Sequence, residues 1–277
     1  MRVFTRRRFI SLSLAACAAG VIATRARERN DRGSIAYGKA PRQRVDVYTP
    51  KAGARANRPV VVYFYGGAWQ SGDLSDSRVV AQALAAQGIV AIAADYRSYP
   101  EAVFPGILDD PAAAVRWTHD HVQEFGGDRK RIFVMGHSSG AHIAAMLATD
   151  PRYLAMHGVS NTSLAGMIGL AGPYAAIPTT DPHMDAIFPA ALRSRALPIE
   201  LITGDEPPMF LAAGTADKDV DPRNSDRFAD ALRVHHDRVE LKLYPGYGHD
   251  TIVESFSAPQ HAASPVLADV TAFIDAH

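Results

Sequence analysis

The chain has 277 residues, 47% of them hydrophobic, and a formal net charge of +0, which is enough apolar material for one large domain with its own core. Its single cysteine, Cys17, excludes an internal disulfide and a cysteine metal cluster. Charge is unevenly placed: Arg2, Arg6, Arg7 and Arg8 lead the chain, and taking those four from 29 basic residues leaves 25 against 29 acidic ones, a net of −4, so nothing points to nucleic acid as a partner.

Residues 1–23 read as an export signal rather than as fold. Thr5-Arg6-Arg7-Arg8-Phe9-Ile10 resembles the twin-arginine consensus, and a short apolar stretch follows to about Ala23. That stretch is interrupted by serine and too short to span a bilayer securely. Leu14-Ala15-Ala16-Cys17 also resembles a bacterial lipobox. Two processing routes are therefore open. In one, Cys17 is lipidated and anchors the mature protein to the membrane of the cell envelope. In the other, Cys17 is a small residue inside a signal cut slightly later. Residues 24–40 are charged and aperiodic and read as a linker. The rest, 41–277, reads as one domain.

Val45, Val47 and Tyr48 fit a first strand closed by Pro50, and Lys51 to Arg58 a polar turn. Pro59 to Tyr65 reads as a strong central strand. A helix is expected over Asp76 to Gln87, with Gly88 as its stop, then a buried strand over Ile89 to Ala94. Asp109 to Phe125 reads as helix, ended by Gly126-Gly127. Ile132 to Met135 is a continuous apolar run that suits a strand buried on both faces, and a helix follows to about Ala148. Met167 to Leu170, Met209 to Ala213 and Val239 to Tyr244 are further short strands, and Ser225 to His235 and Ser264 to Ala276 the last helices. Strands alternating with helices argue for an α/β domain with a mainly parallel central sheet and helices on both faces. Between Leu170 and Met209 there is no convincing strand but several prolines, which suggests a small cap segment with a short helix over Met184 to Arg195.

The chemistry concentrates at Gly136-His137-Ser138-Ser139-Gly140, at the bend from strand into helix. G-x-S-x-G there is the nucleophile-elbow pattern: a serine exposed at a sharp turn, glycines that permit close approach, and a helix N-terminus that favours negative charge. Alone, the pentapeptide also fits an ordinary turn. A serine nucleophile needs a base, and the base an orienting acid. Asp217 follows the Met209 to Ala213 strand at the sheet's carboxyl end, with Asp219 and Asp221 as competitors. His249 lies on a Gly-rich loop beyond the next strand and is the only one of the 11 histidines so placed. Tyr65-Gly66-Gly67-Ala68-Trp69 follows the central strand, where exposed backbone N–H groups suit an oxyanion hole, with the Ser139 N–H as a further donor. Trp69 either walls the substrate site or packs beneath this loop. His119 and His121, and His235 and His236, lack convincing metal spacing.

From about Val45 to Ala276 the chain resembles the α/β-hydrolases, within them the small carboxylesterases that include feruloyl/acetyl esterase-like enzymes and kynurenine formamidases. Tyr65 to Trp69, Asp95-Tyr96-Arg97 with Pro100 and Phe104-Pro105, Gly136 to His142, Gly214 to Asp217 and Pro245 to His249 carry the match. The resemblance implies Ser138, Asp217 and His249 as triad, Gly67, Ala68 and Ser139 as oxyanion donors, and no cofactor or metal. Tyr65 stands where many relatives have a histidine that braces the loop. Asp95 and Arg97 are expected to form a structural pair. The expected function is hydrolysis of small carboxylic esters, with two rivals: an arylformamidase using the same triad, and a non-catalytic binding protein on the same fold.

Overall fold

The computed structural model describes residues 33–51, 57–177, 182–257 and 264–277. The expected export signal, with Cys17, lies outside the described residues.

In chain order the elements are β1 (Ile35–Ala36), β2 (Arg44–Tyr48), β3 (Arg58–Phe64), α1 (Arg78–Ala86), β4 (Val90–Ala94), α2 (Asp109–His121), β5 (Gly127–His137), α3 (Ser139–Thr149), α4 (Pro151–Met156), β6 (Gly166–Leu170), α5 (Met184–Ile187), β7 (Met209–Gly214), α6 (Arg223–Val234), β8 (Val239–Tyr244), α7 (His249–Glu254) and α8 (Pro265–Ala276). One sheet of eight strands holds them in the order β1-β2-β4-β3-β5-β6-β7-β8. β1 and β2 enter antiparallel, and every pairing from β4 to β8 is parallel. Every residue of β4, β6 and β7 is buried, which requires cover on both faces and explains why these segments read as unbroken apolar runs.

The expected elements are present, with four corrections. The linker's end is not free, because Ile35 and Ala36 pair with Val45 and Arg44 in the sheet. The long helix from Asp109 keeps α geometry only to His121, then tightens into a 3₁₀ turn over Val122–Phe125 that stops at Gly126, φ +80°. The cap helix expected over Met184 to Arg195 is split in two: α5 ends at Ile187 and a 3₁₀ segment, Ala190–Ala196, follows. Pro189 is the cause, since a proline drives the residue before it out of helical conformation, and Phe188 sits at φ −123°, ψ 83°. Of the turn expected from Lys51 to Arg58, residues 52–56 lie outside the described residues, and Arg58 already belongs to β3. Pro59 is tolerated in this central strand because the register with β5 shifts between Arg58 and Val60, where the missing N–H breaks no regular ladder.

Two glycines position the site. A Cβ on Gly140 would lie 2.1 Å from the Phe64 carbonyl oxygen, and one on Gly136 would lie 2.2 Å from the Gly140 carbonyl. Backbone therefore packs on backbone where β3, β5 and α3 meet. Gly140→Ala should cost about 3 kcal/mol of stability, because main chain must move to admit the methyl group. Gly106→Ala, whose Cβ would meet nothing within 4 Å, should stay within about 0.5 kcal/mol of the parent. Chemical denaturation of the two variants checks this, and equal stability would contradict the close approach.

Candidate active site

Ser138 lies between β5 and α3 at φ +56°, ψ −124°, a left-handed conformation that costs a non-glycine residue energy. The cost is borne because α3 begins at the next residue and is buried along its whole length. Ser138 Oγ lies 2.8 Å from His249 Nε2, and His249 Nδ1 lies 2.8 Å from Asp217 Oδ2. Asp217 Oδ1 accepts the backbone N–H groups of Asp219 and Val220, both at 2.9 Å. These bonds select Asp217 over its competitors. Asp219 comes within 4.8 Å of His249 but makes no hydrogen bond to it, and Asp221 pairs with Arg223. The order Ser, Asp, His along the chain thus becomes one connected chain of hydrogen bonds.

The loop after β3 is held in an unusual shape. Gly67, Ala68 and Trp69 all have positive φ, at 128°, 52° and 59°. The Gly67 carbonyl accepts the N–H groups of Gln70 and Ser71 at 3.0 Å, while the N–H groups of Gly67 and Ala68 have no acceptor among the described residues. Ser139 opens α3, so its N–H is one of the unpaired donors of the first turn. Tyr65 braces the loop from below by a route the sequence did not suggest. Its hydroxyl donates to Asp95 and accepts from Arg42 Nη2 at 2.6 Å, and its ring stacks on Tyr96 at 4.7 Å. Asp95 is thus paired with Arg42, while Arg97 is paired with Asp110 at 2.7 Å, so the expected Asp95–Arg97 pair does not form.

Trp69 borders the cavity, but its side chain is an anchor rather than a substrate wall. It is 2% exposed and packs edge-on to Phe188 of the cap at 4.8 Å. Its indole N–H donates to His142 Nδ1 at 3.3 Å, and His142 Nε2 lies 2.7 Å from the Ala196 carbonyl. An indole can only donate and a carbonyl only accept, so His142 is neutral with its proton on Nε2. One buried imidazole therefore joins the oxyanion loop to the cap. His137 does a similar task beside the base. Its Nε2–H donates to the His249 carbonyl at 3.0 Å, and the two rings lie 4.7 Å apart. His137 and His142 both lie in the motif string from Gly136 to His142, yet only the geometry reveals what they hold.

The three imidazoles differ electrostatically. Burial pushes His137 and His142 down to about 4. Burial also opposes protonation of His249, but the hydrogen bond and charge of Asp217, then the charges of Asp219 and Asp250, outweigh it and hold His249 above the ordinary imidazole value. Asp217, despite burial, is kept below the usual carboxylate range by His249 and the two backbone N–H groups. Two groupings among the described residues bring three potential metal ligands together, His137-His249-Asp250 and Asp217-Asp219-His249. Both need His249, whose nitrogens are already committed, so a cation there would compete with those hydrogen bonds. NMR titration of the His249 ring should give a pKa above the free imidazole value, and Asp219→Asn with Asp250→Asn should lower it. Asp221→Asn should leave it in place. An unmoved pKa in the double variant would leave Asp217 as the only carboxylate that sets it.

Comparison with known proteins finds similar chains among esterases. Residues 45–170 match the family model described as BD-FAE. Esterase LipC of Mycobacterium tuberculosis is 32% identical over 248 residues, covering 82% of this chain and 61% of the relative. Isoprenylcysteine alpha-carbonyl methylesterase ICME of Arabidopsis thaliana is 29% identical over 246 residues, covering 79% and 56%. The chain thus spans a little over half the length of these curated relatives. Among solved structures, a thermophilic esterase of Thermogutta terrifontis with propionate bound superposes with a TM-score of 0.74 at 25% identity, over 88% of this chain and 93% of that one. The same esterase is also known phosphonylated by sarin, at a TM-score of 0.75. With its parallel sheet, the serine at the β5–α3 bend and these relatives, the chain belongs to the α/β-hydrolases, in their carboxylesterase group.

Proposed function

We propose that this protein is a serine carboxylesterase that hydrolyses small esters with short acyl chains or aryl alcohols. The observation that carries the reading is the unbroken path from Ser138 Oγ through His249 to Asp217, with 2.8 Å at each step. His249 Nε2 takes the Ser138 proton as Oγ attacks the ester carbonyl carbon. The resulting oxyanion is received by the N–H groups of Gly67, Ala68 and Ser139. Collapse breaks the bond to the alcohol, whose oxygen leaves with the proton from His249 Nε2, and an acyl-Ser138 remains. A water then gives its proton to His249 and attacks the acyl carbon. The acid departs, and the proton returns to Ser138. Asp217 stays ionised throughout and holds Nδ1–H in place.

Substrate size follows from the walls. The cavity before Ser138 has a volume of about 850 Å³, and the aliphatic side chains lining it are those of Ala68, Pro173, Val220 and Val253. Each methylene gains at most about 0.8 kcal/mol, and only while it touches such a wall. The Thermogutta esterase with propionate or butyrate bound supports the short-acyl reading. Across p-nitrophenyl acetate, butyrate, octanoate and palmitate, kcat/KM should peak at acetate or butyrate. N-formylkynurenine should be turned over poorly, and Ser138→Ala should lose about 10³-fold or more in kcat. A maximum at octanoate or beyond would refute the short-acyl assignment. A formamide rate above every ester would make the protein an arylformamidase, and an inert parent enzyme would make it a binding protein.

We further propose that the protein works in the bacterial cell envelope, exported through Arg6-Arg7 and anchored to the membrane by a lipid on Cys17. The twin-arginine and lipobox patterns in residues 1–23 support this. Arg6→Lys with Arg7→Lys should leave precursor in the cytoplasm, and Cys17→Ser should abolish metabolic labelling with palmitate. A soluble mature protein beginning beyond Cys17 would refute the anchor but not the export.

A further inference from the structure

The loop that carries the Gly67 and Ala68 N–H groups closes on itself. Tyr65 leads into it and Gly72 ends it, and a Cβ at Gly72 would lie 2.6 Å from the Tyr65 ring. Gly72 has a φ of +99°, so positive φ occurs at Gly67, Ala68, Trp69 and again at Gly72. A main chain bent in this way keeps its shape only while its surroundings enforce it. The direction of the two N–H groups depends on that shape. One side chain from outside the loop touches both of its ends.

That side chain is Arg42, in the turn between β1 and β2. Its Nη2 lies 2.6 Å from the Tyr65 hydroxyl and 2.6 Å from the Gly72 carbonyl oxygen. The nitrogen has two hydrogens, one for each acceptor. Its Nε–H faces Asp95 Oδ1 at 3.2 Å. The same carboxylate oxygen accepts from the Tyr65 hydroxyl and, at 2.9 Å, from the Tyr96 N–H. Asp95 thus sets the height of the guanidinium, and Nη2 is left for the loop. The turn that bears Arg42 is itself pinned. The Tyr37 hydroxyl donates to the Asp95 carbonyl at 2.6 Å, and Gln43 Nε2 donates to Asp110 Oδ1 at 2.6 Å.

We propose, on the reading that this site hydrolyses esters, that Arg42 is a positioning residue of the oxyanion hole: by joining the Tyr65 hydroxyl to the Gly72 carbonyl it fastens the loop shut and fixes the direction of the Gly67 and Ala68 N–H groups. Arg42 does not line the cavity, whereas Tyr65 and Gly72 do, so it acts through them. Its effect falls on the transition state, because the N–H groups are called upon only as the carbonyl oxygen takes up charge. Lysine is no substitute. Its ammonium sits where the guanidinium carbon would, one bond short of Nη2, although it keeps a positive charge beside Asp95.

The test measures p-nitrophenyl acetate hydrolysis and inhibition by an alkyl trifluoromethyl ketone, to whose carbonyl carbon Ser138 Oγ adds to leave an oxyanion. In Arg42→Lys, kcat should fall by about tenfold or more at nearly unchanged KM, and affinity for the ketone should fall by the same factor. Tyr65→Phe deletes the other partner and leaves the Arg42–Asp95 pair in place. It should also lower kcat without raising KM, and it decides the matter where the lysine variant is unstable. The double variant should be little worse than Arg42→Lys alone, since both changes break one contact. Arg44→Lys, two residues on and exposed, should keep the parent kcat. Parent-like kcat in Arg42→Lys or in Tyr65→Phe would overturn the inference, as would a rise in KM alone. A kcat loss with undiminished ketone affinity, or losses that multiply in the double variant, would overturn it too. A parent inert toward p-nitrophenyl acetate and every other ester would instead overturn the esterase reading itself.

Discussion

Phe64 and Tyr65 at the end of β3, and Gly136 and Gly140 on either side of Ser138, meet with no side chain between them. A Cβ at Gly140 would lie 2.1 Å from one carbonyl and 2.4 Å from the other. This contact draws α3 against the sheet and forces the reversal of direction at Ser138, and with it the positive φ. It also sets the oxyanion loop, which begins where β3 ends, beside the first N–H groups of α3. Nucleophile and anion donors are thus brought together by one steric condition, the absence of two methyl groups.

Such an arrangement stores strain, and side chains remote from the reacting atoms oppose its release. Three successive residues of positive φ at Gly67, Ala68 and Trp69 would relax if left alone. Tyr65 fixes one end of the loop to Asp95 and Arg42, and the Tyr96 hydroxyl donates to the Tyr65 carbonyl at 2.7 Å. Trp69 fixes the other through His142 and Phe188. Burial serves two purposes here. It keeps His137 and His142 neutral, so each has one defined donor and one free or accepting nitrogen. It also deepens the contrast with His249, the one imaginable base among the three, whose carboxylate neighbours hold its proton affinity up.

Much of this was readable in the amino-acid order, for definite reasons. β4, β6 and β7 are buried on both faces and so announce themselves as apolar runs. The elbow is a local pattern, and Asp217 and His249 each directly follow a strand that the apolar runs reveal. What escaped depends on distance in sequence. Tyr65 finds Arg42 at a separation of 23 residues, and His142 finds Ala196 at 54. No periodicity encodes such partners, and the nearest charge in sequence misled: Arg97 is two residues from Asp95 but pairs with Asp110. The cap helix failed for a local reason, Pro189, which takes Phe188 out of helical conformation. The short α7 was hidden because its six residues begin at the triad histidine, where a loop was the simplest reading of the glycines before it.

The bonds from His142 to the cap and from His137 to the base both end on main-chain carbonyls, those of Ala196 and His249. A carbonyl is present whatever side chain the residue bears. The cap's hold on the oxyanion loop therefore depends on the path of its main chain at the buried Ala196 and on no functional group of a cap side chain. In a lineage that diversifies its substrates by altering the segment over the site, this uncouples the freedom to change specificity from the need to preserve catalytic geometry.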